Sequence, residues 1–359
     1  MKMCGNRHNL VSIVARILLG AVLIFSSVAK GLDPYGTVLK IGEYIGALYL
    51  HWAEPAATPL AVALIGLEML VGVALVVGAV PRLTSRVALI LNGFFMLFTL
   101  WIAIAEPVAE CGCFGDVLHL TNWQTFAKNV VLVALSVVVL RGSAGRKGRV
   151  WSAVVSLAMM CCVVALSLYG LVMLPVVDRF PFGEGVNIAE AMQRARSEEM
   201  RQTFVVCRNL SSGEERKFSV EDKEWWNEEV WEFVRTESPA SDDVRVTVRD
   251  FRLTSGSFDI TDQILAMPYC RLLCVEDVMS LSPEELTKLR RIGLDCVAKG
   301  DRVVVVTASP LRRAESLFPG LEFCNMDATA LRALLRAPAG VVTLKRGVVM
   351  QKVSLASLR

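Results

Sequence analysis

Long apolar runs fill the first half of this 359-residue chain, and charged positions become frequent only beyond about residue 175. A membrane-spanning helix needs about 20 mostly apolar residues. Five stretches qualify: 10–29, 59–80, 87–105, 126–140 and 150–176, of which the fourth is the shortest. The pattern therefore predicts a multi-pass α-helical membrane bundle, with a core of four helices at 1–149 and a fifth span at 150–176.

The first apolar run has a second interpretation as a secretory signal peptide. Lys2 and Arg7 precede it, and Ser27-Val28-Ala29 resembles a cleavage site. The run is long for a signal peptide, however, and four further spans follow. We therefore expect the first span to be retained.

The connections between the predicted spans differ in charge, which predicts an orientation. Basic residues lie in the N-terminal tail, the second connection and the fourth connection: Lys2, Arg7, Arg82, Arg86, Arg141, Arg146, Lys147 and Arg149. The third connection has Glu106, Glu110 and Asp116 and no Lys or Arg. Cytoplasmic loops are enriched in Lys and Arg. We therefore expect a bacterial inner (cytoplasmic) membrane protein with a cytoplasmic N-terminus, its third connection and C-terminal half facing the periplasm.

In the C-terminal half, hydrophobic and polar positions alternate over short stretches, as is typical of a soluble folded domain. Residues 177–249 predict a tether, a helix at 190–200 and a β-hairpin at 203–210 and 215–220. From 250 to 359 a further hairpin is followed by alternating strands and helices, which predicts a mixed sheet covered by helices. Its predicted elements are strands at 271–275, 302–307 and 322–326, helices at 283–298, 311–318 and 328–336, and a closing hairpin at 340–345 and 348–353.

Composition excludes several functions. The formal net charge of +3 and the absence of a basic-aromatic patch argue against nucleic acid as a partner. Ten cysteines in 359 residues are too few for a disulfide scaffold. Three histidines give no defensible Ser/His/Asp grouping, and no phosphate-binding glycine loop is present. The lipid bilayer is the first predicted partner.

The third connection contains the sequence Cys111-Gly112-Cys113, the candidate redox pair of the chain. A disulfide across one residue closes a ring too small for relaxed geometry, which makes the bond easier to reduce. On an oxidising outer face such a pair suits thiol–disulfide exchange. Two alternatives are a bridge that only shapes the loop and a metal site with Asp116 and His119. That spacing fits no standard structural zinc pattern, so we expect no metal.

Polar residues inside the predicted spans are further candidates, because ionisable groups at bilayer depth are costly and face the bundle interior. Glu68 lies in the second span and either handles protons or pairs structurally with Lys30 or Lys128. Asn92 lies in the third span. Cys161 and Cys162, adjacent in the fifth span, point about 100° apart on a helix and are expected to be packing residues.

Residues 10–140 resemble the DoxX and MauE membrane protein families. The resemblance rests on Arg16-Ile17-Leu18-Leu19-Gly20, Phe25-Ser26-Ser27-Val28-Ala29-Lys30-Gly31-Leu32-Asp33-Pro34, Glu43-Tyr44, Glu68, Cys111-Gly112-Cys113-Phe114-Gly115-Asp116 and Lys128-Asn129. It implies a four-helix bundle like that of vitamin K epoxide reductase. It also implies support of disulfides in an exported thiol-containing client, or a respiratory process with quinone as cofactor. Cys-x-Cys stands here where those reductases have Cys-x-x-Cys.

Residues 250–359 resemble thioredoxin-like domains of the exported TlpA type. Pro338, before the last hairpin, occupies the place of that fold's cis-proline. The redox Cys-x-x-Cys is expected near 278–283, where this sequence has no cysteine. Cys270 and Cys274 are about 13 Å apart if both lie in one strand, too far to bond. Cys207, Cys296 and Cys324 are expected to be buried structural thiols.

Two functions follow from these predictions. In the first, the protein is a thiol–disulfide or quinone-linked oxidoreductase, in which Cys111 and Cys113 exchange electrons with an exported client that the outer domain recruits. In the second, it is a membrane-anchored binding or assembly module, in which both the Cys-Gly-Cys loop and the outer domain are structural.

Overall fold

The computed structural model describes residues 2–105, 120–143, 148–174, 182–220, 222–237, 248 and 251–358. The chain divides into two compact units, Met1–Asp178 and Arg179–Arg359. We call them the membrane unit and the outer unit. The outer unit is so named for its predicted side of the membrane.

The membrane unit is helical throughout its described residues. Its helices are α1 (Lys2–Leu32), α2 (Pro34–Ala47), α3 (Ala57–Val77), α4 (Pro81–Ala105), α5 (Asn122–Gly142) and α6 (Val150–Val172), with a 3₁₀ helix at His51–Ala56 before α3. Five helical segments are long and apolar enough to cross a membrane: Leu10–Leu32, Trp52–Val77, Pro81–Ala105, Asn122–Gly142 and Val150–Val172. The five predicted spans are confirmed as membrane-span-like helices.

Helix α2 was not predicted. Asp33 caps its N-terminus, with the Asp33 carboxylate accepting a hydrogen bond from the Gly36 backbone N–H. Pro34 occupies the first helical turn, where its missing N–H costs nothing. The chain therefore adds a short helix between the first two spans before it turns back into the bundle.

Small residues bring α1 and α3 into close backbone contact. A Cβ atom added to Gly20 would lie 2.7 Å from the Gly72 carbonyl oxygen and 2.7 Å from Val76 Cγ2. Close approach at small residues is the usual basis of helix association in membranes, where lipid offers no hydrophobic driving force. Leu19, Leu23 and Leu75 are buried beside this contact, and they join it to Leu132 of α5.

The outer unit contains two sheets. The smaller is antiparallel, in the order β2–β1–β3, and follows helix α7 (Ile188–Gln202); its strands are β1 (Phe204–Asn209), β2 (Glu215–Ser219) and β3 (Trp231–Glu237). The larger has the order β10–β9–β6–β7–β8–β4–β5. Its strands are β4 (Thr254–Ser255), β5 (Phe258–Asp259), β6 (Cys270–Val275), β7 (Val303–Thr307), β8 (Glu322–Asn325), β9 (Ala339–Lys345) and β10 (Val348–Ser354).

The larger sheet is mixed, as predicted. β6, β7 and β8 are parallel, with Leu273 opposite Val305 and Val305 opposite Phe323. β9 runs antiparallel to both β6 and β10. The helices between these strands are α8 (Thr261–Leu265), α9 (Pro283–Ala298), α10 (Leu311–Leu317) and α11 (Ala328–Leu335). From residue 270 onward every predicted strand and helix is present within one residue of its expected bounds, whereas the predicted first hairpin is present only as the short strands β4 and β5.

The predicted tether at 178–183 ends in two residues, 182 and 183, that belong to the outer unit together with 184–188. Phe182 is fully buried and its ring lies 5.3 Å from that of Phe251. The Gly185 N–H donates to the Val349 carbonyl, and a Glu184 carboxylate oxygen accepts from the Lys352 N–H. These bonds satisfy backbone groups on β10, an edge strand that would otherwise be open.

Two further points concern the bond before Pro338, whose isomer the sequence left open, and the expected packing of Cys161 and Cys162, which is wrong. The peptide bond before Pro338 is trans, and Arg336, which has a φ of 58°, ends α11. Cys161 and Cys162 are unbonded and exposed on α6, so they do not pack inside the bundle. The other predictions for thiols hold, since Cys207, Cys270, Cys274, Cys296 and Cys324 are all free and buried.

Candidate functional site

A buried ion pair between α1 and α3 is the chemical centre of the membrane unit. The Lys30 Nζ lies 2.8 Å from both carboxylate oxygens of Glu68 and donates a third hydrogen bond, of 2.7 Å, to Ser26 Oγ. Lys30 is 5% exposed and Glu68 is 2% exposed. All three ammonium donors of Lys30 are therefore used inside the protein, as a buried charge requires.

Local packing fixes this pair. Ser27, next to the Ser26 partner of Lys30, donates a 2.7 Å hydrogen bond to the Ile65 carbonyl of α3. One turn further along the same face of α1, Gly31 lies against α6, where an added Cβ would be 2.9 Å from Val163 Cγ2. The last turns of α1 are thus held by both α3 and α6, and the Lys30 side chain extends along its own helix toward Ser26.

The ion pair borders a cavity of about 340 Å³ enclosed by α1 to α5. Most of its lining is aliphatic or aromatic, with polar groups at a few points. The lining residues are Val22, Leu23, Ser26, Lys30, Thr37, Lys40, Ile41, Tyr44, Ile45, Leu48, Leu60, Leu64, Glu68, Asn92, Phe94, Phe95, Phe98, Thr99, Lys128, Asn129 and Leu132. An apolar cavity with a few convergent polar groups is the usual form of a small-molecule site.

Polar contacts between α4 and α5 form the second polar side of the cavity. Asn129 Nδ2 donates to Thr99 Oγ1 at 3.1 Å, and Asn92 Nδ2 donates to Ser136 Oγ at 3.3 Å. Asn92 Oδ1 is buried and accepts no hydrogen bond from the described residues. Such an acceptor costs free energy unless a ligand or water supplies a donor.

The cavity lies toward one end of the bundle. Hydrogen bonds pair Asn92 with Ser136 and Thr99 with Asn129, so α4 and α5 run antiparallel. Residues 95–99 and 128–129 consequently lie toward the end of α4 and the start of α5. The 106–119 segment connects those two helix ends, and the cavity therefore occupies the half of the bundle from which this segment leaves.

The predicted site residues have different outcomes. Glu68 lines the cavity and pairs with Lys30, one of its two predicted partners, while the other, Lys128, also lines the cavity. The candidate redox pair Cys111 and Cys113 lies outside the described residues, as do Asp116 and His119 of the alternative metal site. Within the described ranges, no group of three or more His, Cys, Asp or Glu side chains is placed to hold a metal ion.

Ser26, Thr99 and Ser136 were not singled out from the sequence. Each is a single hydroxyl within an apolar helix, and such a residue ordinarily bonds its own helix backbone, as Thr99 and Ser136 also do. Thr99 and Ser136 accept hydrogen bonds from asparagines on a neighbouring helix, whereas Ser26 accepts one from Lys30 on its own helix. Periodicity reports neither kind of contact.

The thiols of the outer unit form an inert group. Burial raises the pKa of Cys270 to about 11 and that of Cys324 to about 12. Burial also raises the pKa of Cys274, which lies on the same strand as Cys270. Since the thiolate is the reactive species, these cysteines are unsuited to exchange at neutral pH.

Side chains at the carboxyl ends of β6, β7 and β8 are occupied with one another. Ser309 Oγ donates to Asp277 Oδ1 at 3.0 Å and accepts from the Val278 N–H at 3.1 Å. Asn325 Nδ2 donates to the carbonyls of Thr307 and Ser309. This edge is the common ligand position in open α/β sheets, but here its polar groups connect the loops.

Fold and site together define a multi-span helical membrane protein with a polar cavity in its bundle and a sheet-containing C-terminal unit. Residues 8–142 match the family model described as Methylamine utilisation protein MauE. The match covers the first four spans and confirms the resemblance of this part of the chain to MauE. No curated protein and no solved structure matches the chain.

Proposed function

We propose that this protein is a thiol–disulfide redox protein of the bacterial inner membrane, with Cys111 and Cys113 as its exchanging pair. The observation that carries the proposal is the apolar cavity with a few polar groups, in the half of the bundle from which the 106–119 segment leaves. It gives electrons from the cysteines a lipid-accessible destination within the same unit. The charge asymmetry of the connections supports a periplasmic position for that segment.

The proposed reaction proceeds in two balanced steps. A client thiolate attacks the Cys111–Cys113 disulfide, and a second client thiol resolves the mixed disulfide, leaving an oxidised client and two thiols on this protein. A quinone then takes two electrons and two protons from those thiols, which restores the disulfide and forms a quinol. Glu68, held by Lys30 at the cavity, is the group that we assign to proton handling.

The outer unit has the role of client binding in this proposal. Its β-α-β order and closing antiparallel hairpin support a thioredoxin-like fold for residues 250–359. Burial keeps Cys270, Cys274 and Cys324 protonated, so the unit has no reactive thiol among these three. It recruits a thiol-containing client and leaves the exchange to Cys111 and Cys113.

A mixed-disulfide trap tests the proposal. Each single variant lacks the Cys111–Cys113 disulfide and retains one cysteine, which can hold a client only as a mixed disulfide, so Cys111→Ser and Cys113→Ser are compared in membranes of the native host. One of them is expected to hold a client in a reductant-sensitive adduct, and both are expected to lower the oxidised fraction of that client at least tenfold. The matched control is the double variant Cys161→Ser/Cys162→Ser, which removes two exposed thiols of α6 and leaves client oxidation unchanged.

Permanently reduced Cys111 and Cys113 in native membranes would overturn the redox function. Unchanged client disulfides in both single variants would do the same. A client that still co-purifies under those conditions would indicate the second function, a membrane-anchored binding or assembly module.

A further inference from the structure

We infer that the cavity of the membrane unit binds a lipid-soluble ring molecule in its hydroxylated, hydrogen-bond-donating form, with Asn92 Oδ1 as the acceptor. The inference rests on the proposed function, in which this molecule is the quinol that forms when Cys111 and Cys113 are reoxidised. It adds the binding site and the redox form that the site prefers.

The orientation of the Asn92 amide is fixed by its neighbours. Nδ2 donates to the Ala88 carbonyl at 2.8 Å, and a carbonyl oxygen can only accept. Nδ2 also donates to Ser136 Oγ, whose own proton goes to the Leu132 carbonyl at 2.8 Å. The other amide atom must therefore be the oxygen. Asn92 is 1% exposed and lines the cavity, and its Oδ1 has no donor among the described residues.

Neighbouring polar groups of the cavity are already committed to protein partners. Lys30 directs three hydrogen bonds to Glu68 and Ser26. Asn129 Nδ2 directs its hydrogen bonds to Thr99 Oγ1 and the Phe95 carbonyl. Asn92 thus offers a ligand an acceptor, and the complementary ligand group is a hydroxyl or N–H donor.

The aromatic side chains that line the cavity favour a ligand that contains a ring. Phe94 and Phe98 stack with centroids 5.8 Å apart and an interplanar angle of 9°, and Tyr44 meets Phe98 edge-on at 5.0 Å. Aromatic side chains in such offset and edge arrangements accept a further ring well. The volume of about 340 Å³ is at the low end of the range of about 300–1,000 Å³ for small-molecule sites. It suits a single-ring head group better than a complete isoprenoid molecule.

The cavity also has an outlet toward lipid. Phe94 is 60% exposed and Leu60 is 50% exposed on the surface of the bundle, and both line the cavity. An apolar tail can leave between α3 and α4 at these residues while the head group remains inside. This geometry fits a molecule that enters from the bilayer.

The acceptor Asn92 Oδ1 makes the site prefer the reduced form of the ligand over the oxidised form. A quinol hydroxyl donates to Asn92 Oδ1, whereas a quinone presents only carbonyl oxygens, which are acceptors too. We expect the reduced form to bind about fivefold to tenfold more tightly, the ratio that one additional buried hydrogen bond provides.

The test uses the full-length protein in lipid nanodiscs with three probes: decyl-substituted benzoquinol under anaerobic conditions, the matching benzoquinone, and the dimethyl ether of the quinol. Equilibrium binding of each probe is measured for the wild type, for Asn92→Leu and for Ser156→Ala, a control hydroxyl on α6 that bonds only its own helix. The quinol is expected to bind most tightly to the wild type and to Ser156→Ala. In Asn92→Leu the three probes are expected to bind equally.

Equal binding of quinol, quinone and ether to the wild type would overturn the inference, and it requires no variant to fold. A quinol preference that persists in folded Asn92→Leu would overturn the assignment to Asn92. Neither result affects the cysteine trap, so the thiol exchange can stand without this site. Conversely, quinol-selective binding lost in Asn92→Leu, together with permanently reduced cysteines, would support the site and refute the proposed function.

Discussion

The membrane unit and the outer unit differ in where they place their ion pairs. The membrane unit buries a complete ion pair, Lys30 with Glu68, beside a cavity. The described ion pairs of the outer unit lie at least partly in solvent, as with Arg302 and Glu322, whose side chains are 54% and 59% exposed. The outer unit also buries two cationic side chains, Arg336 and Lys352, alongside neutral thiols and valines such as Cys274 and Val306.

This difference distinguishes a unit with a buried ion pair beside a cavity from a unit whose described ion pairs lie at the surface. Charge in an apolar bundle is expensive and needs compensation, so its presence beside a cavity marks a functional position. Surface ion pairs contribute little to stability, and buried thiols behave as small hydrophobic groups. In the proposed function the outer unit is a binding scaffold, and the membrane unit holds the polar groups that a reaction or a ligand requires.

Breaking the buried ion pair is expected to have the largest effect. Lys30→Met or Glu68→Leu alone leaves one uncompensated buried charge, which costs about 3–5 kcal/mol. The double variant removes both charges and is expected to be close to neutral in stability. Urea unfolding in detergent micelles, followed by protease resistance of the bundle, measures the difference.

The outer unit supplies the control for that comparison. Arg302→Ala removes one partner of an exposed pair and is expected to cost less than about 1 kcal/mol. If Arg302→Ala destabilised the protein as much as Lys30→Met, the contrast between the two units would be lost. A double variant destabilised by the sum of the two single losses would show that Lys30 and Glu68 are not energetically coupled.

Alkaline pH is expected to weaken the outer unit through its buried thiols. Folding raises the thiol pKa of Cys270 from 9.0 to about 11 and that of Cys324 from 9.0 to about 12. Between pH 9 and 11 the unfolded thiols lose protons while the folded ones keep them, so the unfolded state binds fewer protons. The free energy of unfolding therefore falls as the pH rises, by about 1.4 kcal/mol per pH unit for each such thiol. Below pH 9 the contribution is fully present.

Urea unfolding of the full-length protein at pH 8, 9 and 10, followed by alkylation of the newly exposed thiols, measures this slope. Cys324→Ala removes one titrating thiol. It is expected to reduce the pH dependence of the unfolding free energy by the contribution of one thiol, whatever its effect on stability at pH 8. Rapid alkylation of Cys324 at pH 8 without urea would contradict its burial.

The sequence predicted the elements of both units better than their contacts. Apolar runs located the five spans, and helix α9 was predicted at the bounds it has, because Pro283 and the residues around it give a clear helix start. Strand β3 was missed because its pairing with β1 contains an irregularity between Val206 and Cys207. Residues 182 and 183 were interpreted as the end of a tether, because the backbone pairing of this segment with β10 leaves no side-chain pattern.

The cavity was predictable only as separate residues. Glu68, Lys30, Lys128 and Asn92 stood out as polar groups in apolar segments, and the expected partners of Glu68 included the correct one. The free acceptor of Asn92 could not be predicted, because it depends on the position of Ser136, which lies on another helix. Which polar residues of different helices meet is a property of helix rotation and register.

The smallest effect is expected at the contact between α1 and α3 that supports the ion pair. Gly20→Ala places a methyl group 2.7 Å from the Gly72 carbonyl oxygen, and backbone atoms cannot move aside cheaply. A loss of about 1 kcal/mol is expected, at the low end of overpacking effects, because α1 can shift slightly along its length.

Gly93→Ala on α4 is the matched control, since an added Cβ there meets nothing within 4 Å. Its better helix propensity is expected to leave stability unchanged or slightly higher. Thermal unfolding of the two variants in the same detergent distinguishes them, and equal midpoints would show that the close approach of α1 and α3 does not limit the stability of the membrane unit.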